Sequence, residues 1–407
     1  MLAPGRGPAR EAGHARYEGG LGRMHVLYVI DGLNRVGGAE QGLMAMAAPL
    51  VRSGIKLDIA YLTASPGGFQ SELTAAGATV FGVHHSGRGR TAGALRSLVR
   101  ERRPDLVHTT LYEADVLGRT AALAARTPVV SSLVNAAYGP EHLQARGLNP
   151  WKVRAAQAVD AATARGTRRF HALTWYVAGA MASRLRISPD RIDVVPRGRD
   201  PELLGTATPE RRAAVRAALG LADEVPVVLA AARQQYQKGL DVLIAAWPAV
   251  LRAVPGAVLL LAGSPGAESG RLRQLAAAVP EPGSVRFLGP RGDVYDLMAA
   301  ADVFTVPSRW EGLGSAAMEA MGVGVPLVCS DVPALRETVR SEDYAMLVPP
   351  ERPAELAAAL GETLTGRPAA LGRVQAARAR FLTSFTLHQV TAQMVQFYER
   401  SLSPRRA

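Results

Sequence analysis

Short apolar runs alternate with helical patterns along most of the chain, and this alternation restricts the fold more than any other feature. Between the runs, apolar residues recur at helical spacing, as Leu240, Leu243, Ile244 and Trp247 do. This pattern predicts βα units and parallel sheets that are buried on both faces. The strand-like runs lie at 25–30, 57–62, 79–83, 105–109, 128–133, 170–174, 192–195, 226–230, 257–262, 285–288, 303–306 and 326–329.

A polar segment rich in turn residues separates two series of these units. At 407 residues the chain is long enough for two domains, each with its own core. The sequence therefore predicts an α/β protein with two Rossmann-like, doubly wound domains facing a central cleft. The expected divisions are an N-terminal domain at 24–198, a linker at 199–209, a C-terminal domain at 210–385 and a terminal helix at 386–407.

Residues 1–23 are rich in Gly, Ala and Arg and show no periodicity. Two interpretations remain open for them: a disordered basic tail, or an upstream start assignment with Met24 as the true initiator. The first residues lack an apolar signal-peptide core, and the single cysteine, Cys329, cannot form an intrachain disulfide. These two features favour a cytoplasmic protein. No apolar run approaches the roughly 18 residues of a membrane span, so we expect no membrane-crossing segment.

The formal net charge of +12 permits nucleic acid, an anionic membrane or anionic substrates as partners. Zinc-ligand spacing and aromatic-rich RNA-binding strands are absent from the sequence, so we expect no nucleic-acid partner. A genome bias toward arginine is an alternative origin of the charge, since lysine occurs only at 56, 152 and 238. One basic stretch is either a solvated face or a surface for peripheral association with the inner face of the cell membrane. It comprises Arg88, Arg90, Arg96, Arg100, Arg102 and Arg103.

Three loops that follow strands hold the candidate site residues, because parallel sheets bind ligands at the carboxyl ends of their strands. The first loop, 34–40, contains Gly37 and Gly38 and opens a helix, so a negative group could approach its backbone. A plain tight turn is the alternative. The three spaced glycines of a dinucleotide fingerprint are absent, which argues against NAD.

The second loop, 233–239, places Arg233 and Lys238 between a strand and the start of a helix. Two cations there would neutralise a leaving diphosphate, although solvated loop charges are the alternative.

The third loop, 307–319, contains two carboxylates, Glu311 in a glycine-containing turn and Glu319 up to about two turns into the next helix. One can face a sugar while the other reaches a ribose. The intervening N–H groups can donate to phosphate or sugar oxygens. Taken alone, the two residues could equally cap a turn and lie on a wet helix face.

Together and in this order, the Gly-Gly loop, the Arg-x4-Lys-Gly loop and the Glu-x7-Glu loop resemble the glycosyltransferase family 4 pattern of the GT-B fold. The resemblance runs from about residue 24 to 402 and is strongest from 226 to 337. It implies a retaining glycosyltransferase that moves a sugar from a nucleotide diphosphate donor, of UDP or GDP type, to a hydroxyl acceptor. The acceptor would be a carbohydrate or a lipid-linked molecule, in polysaccharide, glycolipid or small-molecule glycoside synthesis.

The resemblance also implies roles for individual residues. Arg233 and Lys238 would hold the donor diphosphate, Glu311 the transferred sugar, and Glu319 the ribose. Segment 286–289 would hold the base, and the terminal helix would cross back to the N-terminal domain. The catalytic candidates are Glu311, Lys238 and Arg233. The complete donor-binding set is Gly37, Gly38, Arg233, Lys238, Leu288, Glu311, Gly312, Leu313, Gly314, Ser315 and Glu319.

In this family, cations and helix N-termini stabilise the leaving diphosphate in place of a metal ion. The sequence contains no Asp-x-Asp pair and no His/Cys ligand cluster, so we expect neither a metal nor another cofactor. Retention is ascribed in this family to a same-face attack within one closed complex.

Two segments depart from the family pattern. Asn135 follows a strand where members often carry a histidine, and it can replace that residue's hydrogen bonds but cannot act as a base. Arg197 stands in a Pro-Arg-Gly sequence where members often read Pro-Asn-Gly. The acceptor-side candidates, expected on loops near strand ends, are Asn135, His108 and Tyr138. A non-catalytic nucleotide-sugar binding protein and a sugar-nucleotide epimerase of the same fold remain alternatives.

Overall fold

The structure, a computed structural model, describes residues 24–35, 37–140 and 149–403. The alternatives considered for residues 1–23 therefore fall outside the described residues, as do Val36 of the first loop and the last four residues of the terminal segment.

The N-terminal sheet is parallel throughout and, in the described part of the chain, has the strand order β3-β2-β1-β4-β5-β6-β7. Its interior strand β1 buries all six of its residues, as expected for a parallel strand covered on both faces. The order reverses between β1 and β4, which opens a crevice at their carboxyl ends. The seven strands are His25–Ile30, Lys56–Tyr61, Thr79–Gly82, Leu106–Thr110, Val129–Leu133, Arg169–Ala172 and Ile192–Val194.

The C-terminal sheet repeats the plan, with the order β10-β9-β8-β11-β12-β13 among the residues described and a switch point between β8 and β11. The sequence did not predict β13, which has three residues, two of them only partly buried. The six strands are Val227–Ala231, Val258–Ala262, Val285–Gly289, Val303–Val306, Leu327–Ser330 and Met346–Val348. The prediction of two doubly wound α/β domains is confirmed.

Helices cover both faces of each sheet. On the N-terminal side the described α-helices, α1 to α6, are Gly38–Arg52, Gln70–Ala75, Arg88–Arg102, Tyr112–Ala124, Pro150–Ala164 and Trp175–Leu185. From the linker onward, α7 to α16 are Pro201–Leu204, Pro209–Ala218, Leu240–Ala253, Ser269–Ala277, Val294–Ala300, Ser315–Val323, Pro333–Val339, Pro353–Thr365, Arg367–Ser384 and Leu387–Leu402. Helix α9 buries Leu240, Leu243, Ile244 and Trp247, as their spacing predicts.

The terminal helix α16 packs on the N-terminal domain. Its Val390, Met394, Phe397 and Tyr398 are buried in the core that also contains β1. Thr386 caps the start of this helix. The crossing segment is joined to the linker by two backbone hydrogen bonds, from the Arg199 N–H to the Phe385 carbonyl at 2.9 Å and from the Leu387 N–H to the Arg199 carbonyl at 2.8 Å. The two interdomain connections therefore run side by side.

The described helices include none that is both long and apolar enough to cross a membrane. The basic stretch lies mainly on α3, which buries Thr91, Leu95 and Val99. Two of its arginines are paired, Arg88 with Glu113 and Arg102 with Asp58. The remaining members are exposed.

Candidate active site

A cleft of about 1170 Å³ lies between the carboxyl ends of the two sheets. The loops after β1, β8 and β11 all line it, so the topology brings together the three loops that the sequence singled out. Their cleft-lining residues include Gly37, Gly38, Arg233, Lys238, Glu311, Gly312, Leu313, Gly314, Ser315 and Glu319.

Glu311 and Lys238 form a pair on the side of the cleft that the C-terminal domain provides. The Lys238 ammonium lies 2.6 Å from Glu311 Oε1, and the Ser308 hydroxyl donates to the same oxygen at 2.8 Å. Glu311 is 8% exposed, so this pair is largely shielded from water. Gly239 follows Lys238 with φ +62°, and a Cβ there would lie 1.9 Å from the Pro307 carbonyl oxygen. The two loops can therefore approach closely enough to pair only because residue 239 is glycine.

Glu319 lies one turn into α12, which begins at Ser315. Its Oε1 accepts from Arg199 Nε at 2.8 Å and lies 2.7 Å from Arg199 Nη2. Arg199 belongs to the bridge between the two interdomain connections. The orientation of the Glu319 carboxylate is consequently fixed by Arg199, a residue of the segment that connects the two domains.

The loop that carries Glu311 is also a contact between the domains. A Cβ on Gly312 would lie 2.1 Å from the Val134 carbonyl oxygen, so only glycine permits this approach. The Thr174 hydroxyl donates to the Gly312 carbonyl at 3.0 Å. Beside it, Glu337 of α13 accepts from the backbone N–H groups of Trp175 and Tyr176, at 2.6 and 2.9 Å. A carboxylate of one domain thus caps α6 of the other.

Charged side chains lie close to the Gly-Gly loop, in which Gly38 is exposed. A Cβ on Gly37 would lie 1.8 Å from Glu40 Oε2, so the Glu40 carboxylate rests against this backbone at the start of α1. Burial raises the pKa of Glu40, while Arg233 and Arg197 act in the opposite direction. Arg233 itself is exposed at the cleft. Arg233 of the second loop therefore interacts electrostatically with Glu40 of the first loop across the cleft.

Three predicted residues do not line the cleft, and for one of them, His108, the predicted position on a loop is wrong. His108 is buried within β4, because this strand continues to Thr110. Its ring nitrogens form hydrogen bonds with Tyr398 Oη at 2.8 Å and with Ser132 Oγ at 2.7 Å. Leu288 packs on the C-terminal core, and Pro290, Arg291 and Gly292 line the cleft after that strand. Tyr138 turns away to donate to Asp160 Oδ2 at 2.8 Å.

Of the acceptor-side candidates, Asn135 alone lines the cleft among the residues described. Arg197 and Arg199, which the sequence did not assign to the site, line it as well. In the sequence, Arg197 stands out only by its departure from Pro-Asn-Gly. Its position between the two domains follows from the fold.

The fold and the cleft define a protein with two Rossmann-like domains, with acidic and basic groups converging between them. Two family models match it: "Glycosyl transferase 4-like domain" over residues 37–198 and "Glycosyl transferases group 1" over residues 225–366. A D-inositol 3-phosphate glycosyltransferase of Mycolicibacterium vanbaalenii is 31% identical over 338 residues, which cover 78% of this chain and 72% of that protein. The chain therefore belongs to the family 4 type of glycosyltransferases.

Another relative matches over a shorter length. It is a GDP-mannose-dependent monoacylated alpha-(1-6)-phosphatidylinositol monomannoside mannosyltransferase of Corynebacterium glutamicum, 40% identical over 154 residues. The match spans 36% of this chain and 40% of that protein.

Among solved structures, Anabaena HepE in complex with UDP-glucose has a TM-score of 0.82 and 22% identity, over 93% of this chain and all of that one. This likeness shows the fold.

Proposed function

We propose that the protein is a retaining glycosyltransferase that moves a sugar from a UDP- or GDP-type nucleotide diphosphate donor to a hydroxyl acceptor. The observation that carries the proposal is the convergence of Glu311, Glu319 and Lys238 on one cleft beside the N-terminus of α12. Two carboxylates suit two sets of hydroxyls, one on a sugar and one on a ribose. A cation and a helix N-terminus suit the phosphates between them.

In this proposal Glu311 binds hydroxyls of the transferred sugar and Glu319 binds the ribose. Lys238 and Arg233 stabilise the negative charge that develops on the diphosphate as the glycosidic bond breaks. These cations and the α12 N–H groups would make a divalent ion unnecessary. The catalysis is then mainly electrostatic stabilisation of a leaving group held in a fixed position.

Retention is proposed to arise from attack on the face that the diphosphate leaves. A double displacement would need a carboxylate free to attack the anomeric carbon. Lys238 and Ser308 both bind Glu311 Oε1, and the proposal gives this carboxylate the role of holding the sugar and not that of a nucleophile. The acceptor hydroxyl would approach beside the departing phosphate, which could itself take the proton, so Asn135 need not act as a base.

The acceptor is proposed to be a carbohydrate, a polyol or a lipid-linked molecule that enters along the N-terminal wall beside Asn135. The names of the two relatives contain D-inositol 3-phosphate and a phosphatidylinositol mannoside, which supports testing inositol-bearing acceptors first. Peripheral association with an anionic membrane, through the exposed arginines of α3, would suit a lipid-linked acceptor.

The test is a transfer assay that pairs UDP- and GDP-sugars with inositol phosphate and phosphatidylinositol acceptors. We expect transfer from one nucleotide family, at a rate unchanged by EDTA, and a product whose anomeric configuration by NMR is that of the donor. Loss of transfer in EDTA that added Mg²⁺ restores would contradict metal independence, and an inverted product would contradict retention. Free sugar released at the same rate without any acceptor would indicate that the protein is a sugar-nucleotide epimerase. Donor binding with no turnover would indicate a binding protein.

A further inference from the structure

The Pro196-Arg197-Gly198 segment places a guanidinium between the two domains at the cleft. Arg197 Nη1 donates to the Ser315 hydroxyl, at 3.1 Å, on the first residue of α12. On its other side the guanidinium lies along the first turn of α1: a Cβ on Gly38 would be 2.7 Å from Nη1, and one on Gly42 would be 3.2 Å from Nε. The glycines at 38 and 42, one turn apart, leave the room that this side chain occupies.

Several positive groups lie beside Arg197. Helices α1 and α12 both begin beside it, and a helix N-terminus carries partial positive charge. Burial, followed by the like charge of Arg199, lowers the pKa of Arg197 to about 10. Of the two carboxylates near it, Glu319 is bound by Arg199, and Glu40 lies against Gly37 at the start of α1. An arrangement of this kind is stabilised by a bound anion.

We infer that Arg197 is a further ligand of the donor diphosphate, acting beside Arg233 and Lys238. This inference rests on the function proposed above. The Arg197 guanidinium lies beside Gly38, so it can contact the diphosphate from the N-terminal side of the cleft together with that backbone. Its Ser315 bond fixes it at the start of α12, on the side of the cleft where the other two cations lie.

The role predicts a particular binding signature. A guanidinium that contacts the diphosphate adds affinity for a nucleoside diphosphate but little for the monophosphate of the same base. A residue that only holds the two domains together would change the affinity for both nucleotides alike. The ratio of the two dissociation constants therefore separates the roles.

The experiment is calorimetric titration of UDP, UMP, GDP and GMP into wild type, Arg197→Gln and Arg197→Lys. For the base that binds, we expect Arg197→Gln to weaken diphosphate binding by about 10- to 100-fold, the usual range for a hydrogen bond to a charged group, and monophosphate binding much less. Arg197→Lys keeps the charge and should fall between wild type and Arg197→Gln. Arg273→Gln removes an exposed arginine of α10 and serves as the charge-matched control.

Diphosphate binding of wild-type strength in Arg197→Gln, or an equal loss for both nucleotides, would overturn the inference. If Arg197→Gln does not fold, an unchanged ratio of the two constants in Arg197→Lys would do so. Loss of diphosphate binding in Lys238→Met but not in the Arg197 variants would sink this inference alone. Failure of wild type to bind any of the four nucleotides would sink the proposed UDP- or GDP-type donor site itself.

Discussion

Replacing Glu311 by glutamine is expected to lower kcat by about 100- to 1,000-fold, the usual cost of removing one preorganised electrostatic group from an active site. The substitution keeps the shape of the side chain but removes the charge that pairs with Lys238 at 2.6 Å. An amide is also a weaker acceptor for the hydroxyls of the transferred sugar. The measurement is steady-state transfer with the donor and acceptor found active for wild type, together with a thermal unfolding curve.

The control for Glu311→Gln is Glu351→Gln, which removes an exposed carboxylate of the same domain that pairs only with Arg309 among the described residues. We expect wild-type transfer from this control. Transfer by Glu311→Gln within a few-fold of wild type, in a folded protein, would remove Glu311 from the catalytic assignment.

Replacing Lys238 by methionine is expected to reduce kcat by a similar factor, about 100-fold or more, since a cation at the leaving group is lost. It also leaves the Glu311 carboxylate with Ser308 as its remaining hydrogen-bond partner in the described structure, so part of the loss comes through Glu311. Because the two residues form one pair, the double variant should lose much less than the product of the two single losses.

The matched control is Lys152→Met, which changes an exposed lysine on α5. Losses that multiply in the Glu311→Gln, Lys238→Met double variant would show that the two side chains act independently, against the contact seen in the cleft. Unaltered kcat in Lys238→Met would contradict its assignment to the leaving group.

The fold was predictable because the periodicity of the chain reports burial directly. Strands such as β1 and β11 are apolar on both faces and are bounded by turn residues, so their limits at His25–Ile30 and Val303–Val306 follow from the sequence. The short β13 carries too few residues for its own signal, and its pairing with β12 is a consequence of the sheet already formed.

The position of candidate residues in the cleft was predictable where one loop holds several polar residues at fixed spacing, as with Glu311 and Glu319. It was not predictable where the environment of a residue is set by a distant element. His108 faces Tyr398, 290 residues away, and this contact makes a polar residue part of the core. Arg197 contacts both α1 and α12. These helices are distant from it in sequence, so a local sequence pattern cannot predict the contacts.

A thermal-shift titration of wild type with UDP, GDP, ADP and their sugar conjugates tests most directly whether the cleft binds a nucleotide diphosphate. We expect one nucleotide family to raise Tm with or without EDTA, by an amount equivalent to about 2.7 kcal/mol at a ligand concentration 100 times Kd. The same ligand should give a much smaller shift with Lys238→Met. An unchanged Tm with every nucleotide at millimolar concentration would contradict the account.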